Sequence, residues 1–194
     1  MAGRTALVTG GTGGIGKATA LGLARWGVDV AITGRSPKRG ADAAAEIRAV
    51  TGARVHLFTG DLSVQADVRR LAGEALDRLP RIDILVNNVG GYWNSRHVTP
   101  DGIERTLAVN HLAPFLLTSL LLARLETSDD ARVVTVASHA HAQGRIDFDD
   151  LQGVASYSGA RAYNQSKLAS VMFSYELARR VRRKPVAANA VHPG

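Results

Sequence analysis

Six short runs rich in β-branched and aliphatic residues recur along this chain, separated by segments long enough to form helices. That alternation constrains the fold more than any other feature. The runs cover residues 4–9, 28–34, 54–59, 82–86, 132–137 and 186–191, and the helix-length segments cover 14–26, 37–51, 64–79, 100–125 and 156–184. Strands separated by such crossovers pair in parallel, and right-handed crossovers place helices on both faces of the sheet. The expectation is an α/β doubly wound parallel sheet. With 194 residues, 45% of them apolar, a single domain over residues 1–194 can bury its own core.

The unusual residues fall where such a sheet binds ligands. Thr9 and Gly10 end the first run, Arg35 follows the second, Asp61 the third, Asn87 to Gly90 the fourth, Ser138 the fifth, and His192, Pro193 and Gly194 the sixth. These are the carboxyl ends of the strands, the rim at which doubly wound sheets hold their ligands. The turn after the first run, Thr9-Gly10-Gly11-Thr12-Gly13-Gly14-Ile15-Gly16-Lys17, carries more glycines than one motif needs. Gly11, Gly13 and Gly16 fit the dinucleotide pattern G-x-G-x-x-G. Thr9, Gly10, Gly14 and Gly16 fit T-G-x-x-x-G-x-G, and Gly10, Gly13 and Gly16 fit a third spacing. All three bring the backbone close to a pyrophosphate at a helix N-terminus. A nucleotide-hydrolase phosphate loop would use Gly11, Gly16 and Lys17, but Ala18 stands where a Mg²⁺-binding Ser or Thr is required.

Tyr163 and Lys167 are four residues apart within a helical segment and so share one face. Alone, that spacing describes an ordinary surface pair. Together with the glycine turn, Asp61-Leu62, Asn87-Asn88-Val89-Gly90, Asn110, Ser138 and Pro193-Gly194, the chain resembles the short-chain dehydrogenase/reductase family along essentially its whole length. The resemblance implies a Rossmann-type fold and an oxidoreductase interconverting alcohol and carbonyl. It implies Tyr163 as general acid/base, Ser138 orienting the carbonyl, Lys167 binding the nicotinamide ribose and favouring the phenolate, and Asn110 holding a relay water. Bringing any phenol from its ordinary ionisation near pH 10 to near 7 takes roughly 4 kcal/mol, and an exposed ion pair supplies under about 1, so the site must be water-poor. The cofactor contacts implied are Gly10, Thr12, Gly14, Ile15, Gly16, Asp61, Leu62, Asn88, Gly90, Tyr163, Lys167, Pro193 and Gly194.

At the end of the second run an NAD enzyme usually places a carboxylate for the ribose 2′-hydroxyl, whereas this chain has Gly34-Arg35 with Lys38 and Arg39 close behind. NADP(H) is therefore expected over NAD(H), with Arg35 on the 2′-phosphate. The long segment 139–155 resembles the branch containing retinol dehydrogenases, the WW-domain oxidoreductase and light-dependent protochlorophyllide reductases, which implies a bulky apolar alcohol, aldehyde or ketone as substrate. His139 and His141 lack a third ligand at metal spacing, so no metal is expected.

Other classes fit less well. The net charge of +7 and the basic run Arg179, Arg180, Arg182, Arg183 and Lys184 lack interleaved aromatics and suit a helix C-terminus, so no nucleic acid is expected as partner. No secretory pattern precedes the first run, and cysteine is absent, which fits a reducing compartment; the expected location is cytoplasmic. The apolar stretch 112–125 falls short of a membrane span, and no transmembrane segment is expected. The helices over 100–125 and 156–184 are candidates for homo-oligomer contacts. Family members continue past the Pro-Gly turn with a substrate-covering segment and another strand, so the chain is expected to lack both. That leaves two alternatives open: a non-catalytic dinucleotide-binding module, and an epimerase or dehydratase of the family's extended branch, the latter disfavoured by Asn87-Asn88-Val89-Gly90.

Overall fold

The computed structural model describes residues 1–193, leaving Gly194 outside the described residues. Its strands are β1 (Thr5–Val8), β2 (Asp29–Gly34), β3 (Val55–Thr59), β4 (Ile84–Asn87), β5 (Ala131–Val136) and β6 (Val186–Val191). All pair in parallel in the order β3-β2-β1-β4-β5-β6. Chain order reverses between β1 and β4, and the crevice above that point is where a doubly wound sheet accepts a ligand.

Five helices cover the sheet: α1 (Gly14–Arg25), α2 (Pro37–Thr51), α3 (Gln65–Arg78), α4 (Arg105–Leu125) and α5 (Gly159–Arg180). Strand alternation sends Leu7, Ala31, Leu85 and Val133 to one face, against Leu71 and Ala75 of α3, Leu117 and Leu121 of α4, and Leu177 of α5. Ala6, Val8, Val30, Ile32, Ile84 and Val86 face the other way, onto Ala20 and Ala24 of α1 and Ala43, Ala44 and Ile47 of α2. At the amino-terminal rim, away from the crevice, fully buried Asp83 accepts from the Thr5 amide at 2.7 Å, the Arg81 guanidinium and the Ser128 hydroxyl. Burial opposes its ionisation, but the Arg81 fork and the Ser128 and Thr5 donors outweigh burial and hold the carboxyl below the usual range.

Three expectations need correction. The helix expected from residue 100 starts at Arg105, because Val98 and Glu104 form a β-bridge and the Glu104 carboxylate caps the amides of Thr106 and Leu107 at 2.8 Å. The last helix spans Gly159–Arg180 rather than 156–184, since Ser158 caps its start and its last turn stops at Val181, short of Pro185. The apolar stretch of α4 is continuous with residues before 112, giving 21 helical residues with a window of mean hydropathy 1.6, long and apolar enough to cross a membrane by length and composition alone. Half of that window is buried within this fold.

Candidate active site

The glycine turn connects β1 to α1, and its geometry separates the three glycine readings. Gly10 and Gly14 take φ +67° and +52°, values that favour glycine, and a Cβ on Gly16 would lie 2.4 Å from both Asn88 Nδ2 and the Gly10 carbonyl. Gly13 is extended, and a Cβ there would meet only Arg39 Nη2 at 3.4 Å. The indispensable glycines include those of T-G-x-x-x-G-x-G. Thr9 completes that pattern: its hydroxyl accepts from the Asn88 and Val89 amides at 2.9 and 3.1 Å, and Asn88 Nδ2 donates back to the Thr9 carbonyl at 2.8 Å. These bonds join the ends of β1 and β4 across the switch point. No side chain caps the start of α1, so its first amides face outward for an anion. Lys17 turns away to pair with Glu46 of α2, as the rejected phosphate-loop reading would not have it.

Above this turn opens a cavity of about 790 Å³ lined by Gly10, Thr12, Gly14, Ile15, Gly16, Arg35, Arg39, Asp61, Leu62, Asn88 and Gly90, and also by Trp93, Arg105 and Val109. Three arginines and one acid, Asp61, share its wall. Arg35 and Arg39 form no ion pair among the described residues, while Lys38 pairs with Asp42 at 3.0 Å. Asp61 uses Oδ1 to accept from the Ser63 amide at 2.9 Å.

Ile15, Asn88 and Gly90 also line a second cavity, of about 260 Å³, with Tyr92, Ser138, Tyr163, Lys167 and Pro193. Tyr163 and Lys167 lie on one face of α5 as their spacing predicts, with Nζ 5.6 Å from the centre of the tyrosine ring. Tyr92 meets that ring edge-on, with centroids 5.6 Å apart. Lys167 is 4% exposed and donates to the Val136 carbonyl at 2.9 Å; burial lowers its pKa to about 8. The Ser138 hydroxyl accepts from the Ala140 amide at 3.3 Å, which leaves its own proton free to donate into the cavity. His141 Nδ1 contacts the Ser138 carbonyl at 2.7 Å, and His139 packs on His192 at 5.9 Å between ring centres.

Asn110 lies beneath these cavities and lines neither. Its side chain is committed to the chain itself: Oδ1 accepts from the Gly91 amide at 2.8 Å, and Nδ2 donates to the Gly91 carbonyl and the Ser166 hydroxyl at 2.9 Å. The backbone widens to an i→i+5 turn over Ala108–Leu112. An α-helical bond to the Asn110 carbonyl would have to come from residue 114, and Pro114 has no N–H; Ser170 Oγ donates to that carbonyl instead, at 3.0 Å.

Sequence reasoning singled out neither Tyr92, Trp93 nor Arg105. The available signal was an aromatic pair directly after Gly90-Gly91 in a chain that is 5% aromatic. The residues present fit a dinucleotide: a backbone cradle that a Cβ at Gly16 would fill, uncapped amides, and unpaired arginines along one continuous pair of cavities.

The fold and site thus define a dinucleotide-binding α/β protein with a Ser, Tyr and Lys gathered beside the glycine turn. The chain belongs to the short chain dehydrogenase family, whose model matches residues 4–194. Retinol dehydrogenase 12 of Mus musculus is 46% identical over 193 residues, covering 99% of this chain and 61% of the relative. Retinol dehydrogenase 13 of Homo sapiens is 42% identical over 194 residues, 99% and 59% respectively. The chain therefore spans about three fifths of the length of these relatives. Among solved structures, the Pseudomonas aeruginosa RhlG/NADP active-site complex superimposes with a TM-score of 0.82 at 33% identity, covering all of this chain and 73% of that one. A Burkholderia cenocepacia short chain dehydrogenase in complex with NADP gives 0.82 at 32%, covering all of this chain and 74% of that one.

Proposed function

We propose that this chain interconverts an alcohol and a carbonyl with NADP(H) preferred over NAD(H), on a bulky apolar substrate. One observation carries the reading: Ser138, Tyr163 and Lys167 line a cavity that shares Ile15, Asn88 and Gly90 with the glycine-turn cavity. When bound, the nicotinamide supplies or accepts the hydride. Tyr163 Oη gives the proton to the carbonyl oxygen in reduction and takes it back in oxidation, and Ser138 Oγ donates a hydrogen bond to that same oxygen. Lys167, itself buried on the same helix face, favours the phenolate. Asn110, bonded to both the amide and the carbonyl of Gly91, acts as a positioning residue.

Support for NADP(H) comes from Arg35 and Arg39, which stand unpaired where a ribose-binding carboxylate would otherwise be. The relatives' name, retinol dehydrogenase, and the half-exposed Tyr92 wall support an apolar substrate. Titration with NADPH and NADH, followed by turnover with a panel of apolar aldehydes and ketones, tests the reading. Tyr163→Phe should keep NADPH binding and abolish turnover; unchanged turnover would refute the assignment.

A second reading has its own observation. The part of the continuous crevice beside Ser138, Tyr163 and Lys167 holds about 260 Å³ and the glycine-turn part about 790 Å³, so most of its volume lies at the nucleotide end, which supports nucleotide binding without turnover. Tight NADPH binding with no turnover on any substrate would support it. Assembly into a homo-oligomer through α4 and α5 belongs to the same proposal, supported by Phe115, Met172 and Tyr175, which are 48%, 49% and 75% exposed on those helices.

A further inference from the structure

Arg105 differs from every other arginine among the described residues. Those without a hydrogen-bonding or ionic partner for the guanidinium are otherwise exposed; Arg105 alone is half-buried and has none. Its carbon sits 4.6 Å over the Trp93 ring. The neighbouring carboxylate does not serve it, since both oxygens of Glu104 accept helix amides and Oε1 also accepts from Tyr157 Oη at 3.2 Å. A guanidinium has five N–H donors, and those of Arg105 meet no protein acceptor among the described residues. Arg105 lines the 790 Å³ cavity, so these donors are available to what enters there.

The platform beneath it is built to stay in place. A Cβ on Gly91 would lie 2.4 Å from the Trp93 ring, a Cβ on Gly159 would lie 2.4 Å from the Trp93 carbonyl, and Tyr157 Oη lies 3.2 Å from that carbonyl. One face of the guanidinium is thus fixed by stacking, leaving its edges to bond. Position selects the acceptor. Arg35 and Arg39 stand at the β2 end, whereas α4 follows β4, across the β1/β4 crevice, and the uncapped N-terminus of α1 emerges from the β1 end.

We propose that Arg105, held on Trp93, is a pyrophosphate-binding residue that closes the dinucleotide site from the side opposite Arg35 and Arg39. This rests on the nicotinamide-dinucleotide reading above. Calorimetric titration of NADPH and NADH into the wild type, Arg105→Met and Arg105→Lys tests it. Loss of a charge-assisted bond to an oxygen common to both nucleotides should weaken both by the same factor, about ten- to a hundredfold for Arg105→Met, with Arg105→Lys in between. The urea midpoint of each nucleotide-free variant reports its fold, and Arg105→Lys carries the test if Arg105→Met does not fold. Unchanged affinity in folded variants overturns the proposal, as does a loss confined to NADPH, which would place Arg105 on the 2′-phosphate. Failure of the wild type to bind either nucleotide would instead overturn the reading on which the proposal rests.

Discussion

Replacing Lys167 by Met should uncouple stability from alkaline pH. Lys167 is 4% exposed, and burial lowers its pKa from 10.5 to about 8. A folded-state pKa below the unfolded value means that the cationic form is disfavoured in the fold. The penalty is therefore full below pH 8, declines as the native amine deprotonates, and is gone above the ordinary lysine range. The gap corresponds to about 3 kcal/mol. At pH 7 the variant escapes that penalty but leaves the Val136 carbonyl without its donor, a loss of about 1–3 kcal/mol, so the net change at that pH is small. The change with pH is larger: between pH 7 and 9.5 the wild type should gain about 2 kcal/mol relative to Lys167→Met. Groups that do not interact with Lys167 titrate alike in both proteins and cancel in the difference. Urea unfolding of nucleotide-free protein at the two pH values measures it directly. A difference that stays constant across that range would show that the amine is not buried as described.

Arg35→Ala combined with Arg39→Ala should weaken NADPH binding by about tenfold or more while leaving NADH nearly unchanged, as comparative titration would show; equal losses would place neither residue on the 2′-phosphate. Asp83→Ala leaves Arg81, Ser128 and the Thr5 amide without their acceptor and should cost about 3 kcal/mol in urea unfolding. Because the Asp83 pKa is depressed, its contribution is present at neutral pH and lost as pH falls through the acid range, so the wild type should lose more stability than the variant on acidification. If α4 and α5 associate, Tyr175→Glu with Phe115→Glu should shift the sedimentation coefficient toward monomer at micromolar concentration; a wild type already monomeric refutes the interface.

The strands were legible because each is a β-branched run bounded by glycine or polar residues, and Val186–Val191 and Pro37–Thr51 match expectation to the residue. The start of α4 was not, because its cap is Glu104, a residue type that seldom caps, and its bonds become evident only once Tyr157 and Gln152 are folded against it. That Tyr163 and Lys167 share a helix face could be read from periodicity, while their roles came from the family resemblance. Trp93 and Arg105 could not be read in this way. Their placement depends on Gly91 and Gly159, which are 68 positions apart and must meet before the indole has a seat. Arg39 and Lys38 looked equivalent in sequence; α2 turns one toward the cavity and the other toward Asp42.

The wide turn at Ala108–Leu112 carries one more residue per loop of helix than the segments it joins, so the two halves of α4 are out of phase by roughly one residue's rotation, about 100°. The half after Pro114 is oriented by the core through Leu117, Leu121 and Leu125, while the half before it presents Arg105 and Val109 to the cavity. A single imino acid thereby lets one rod satisfy two azimuths at once. Substitutions that repack the interior need not rotate the binding wall.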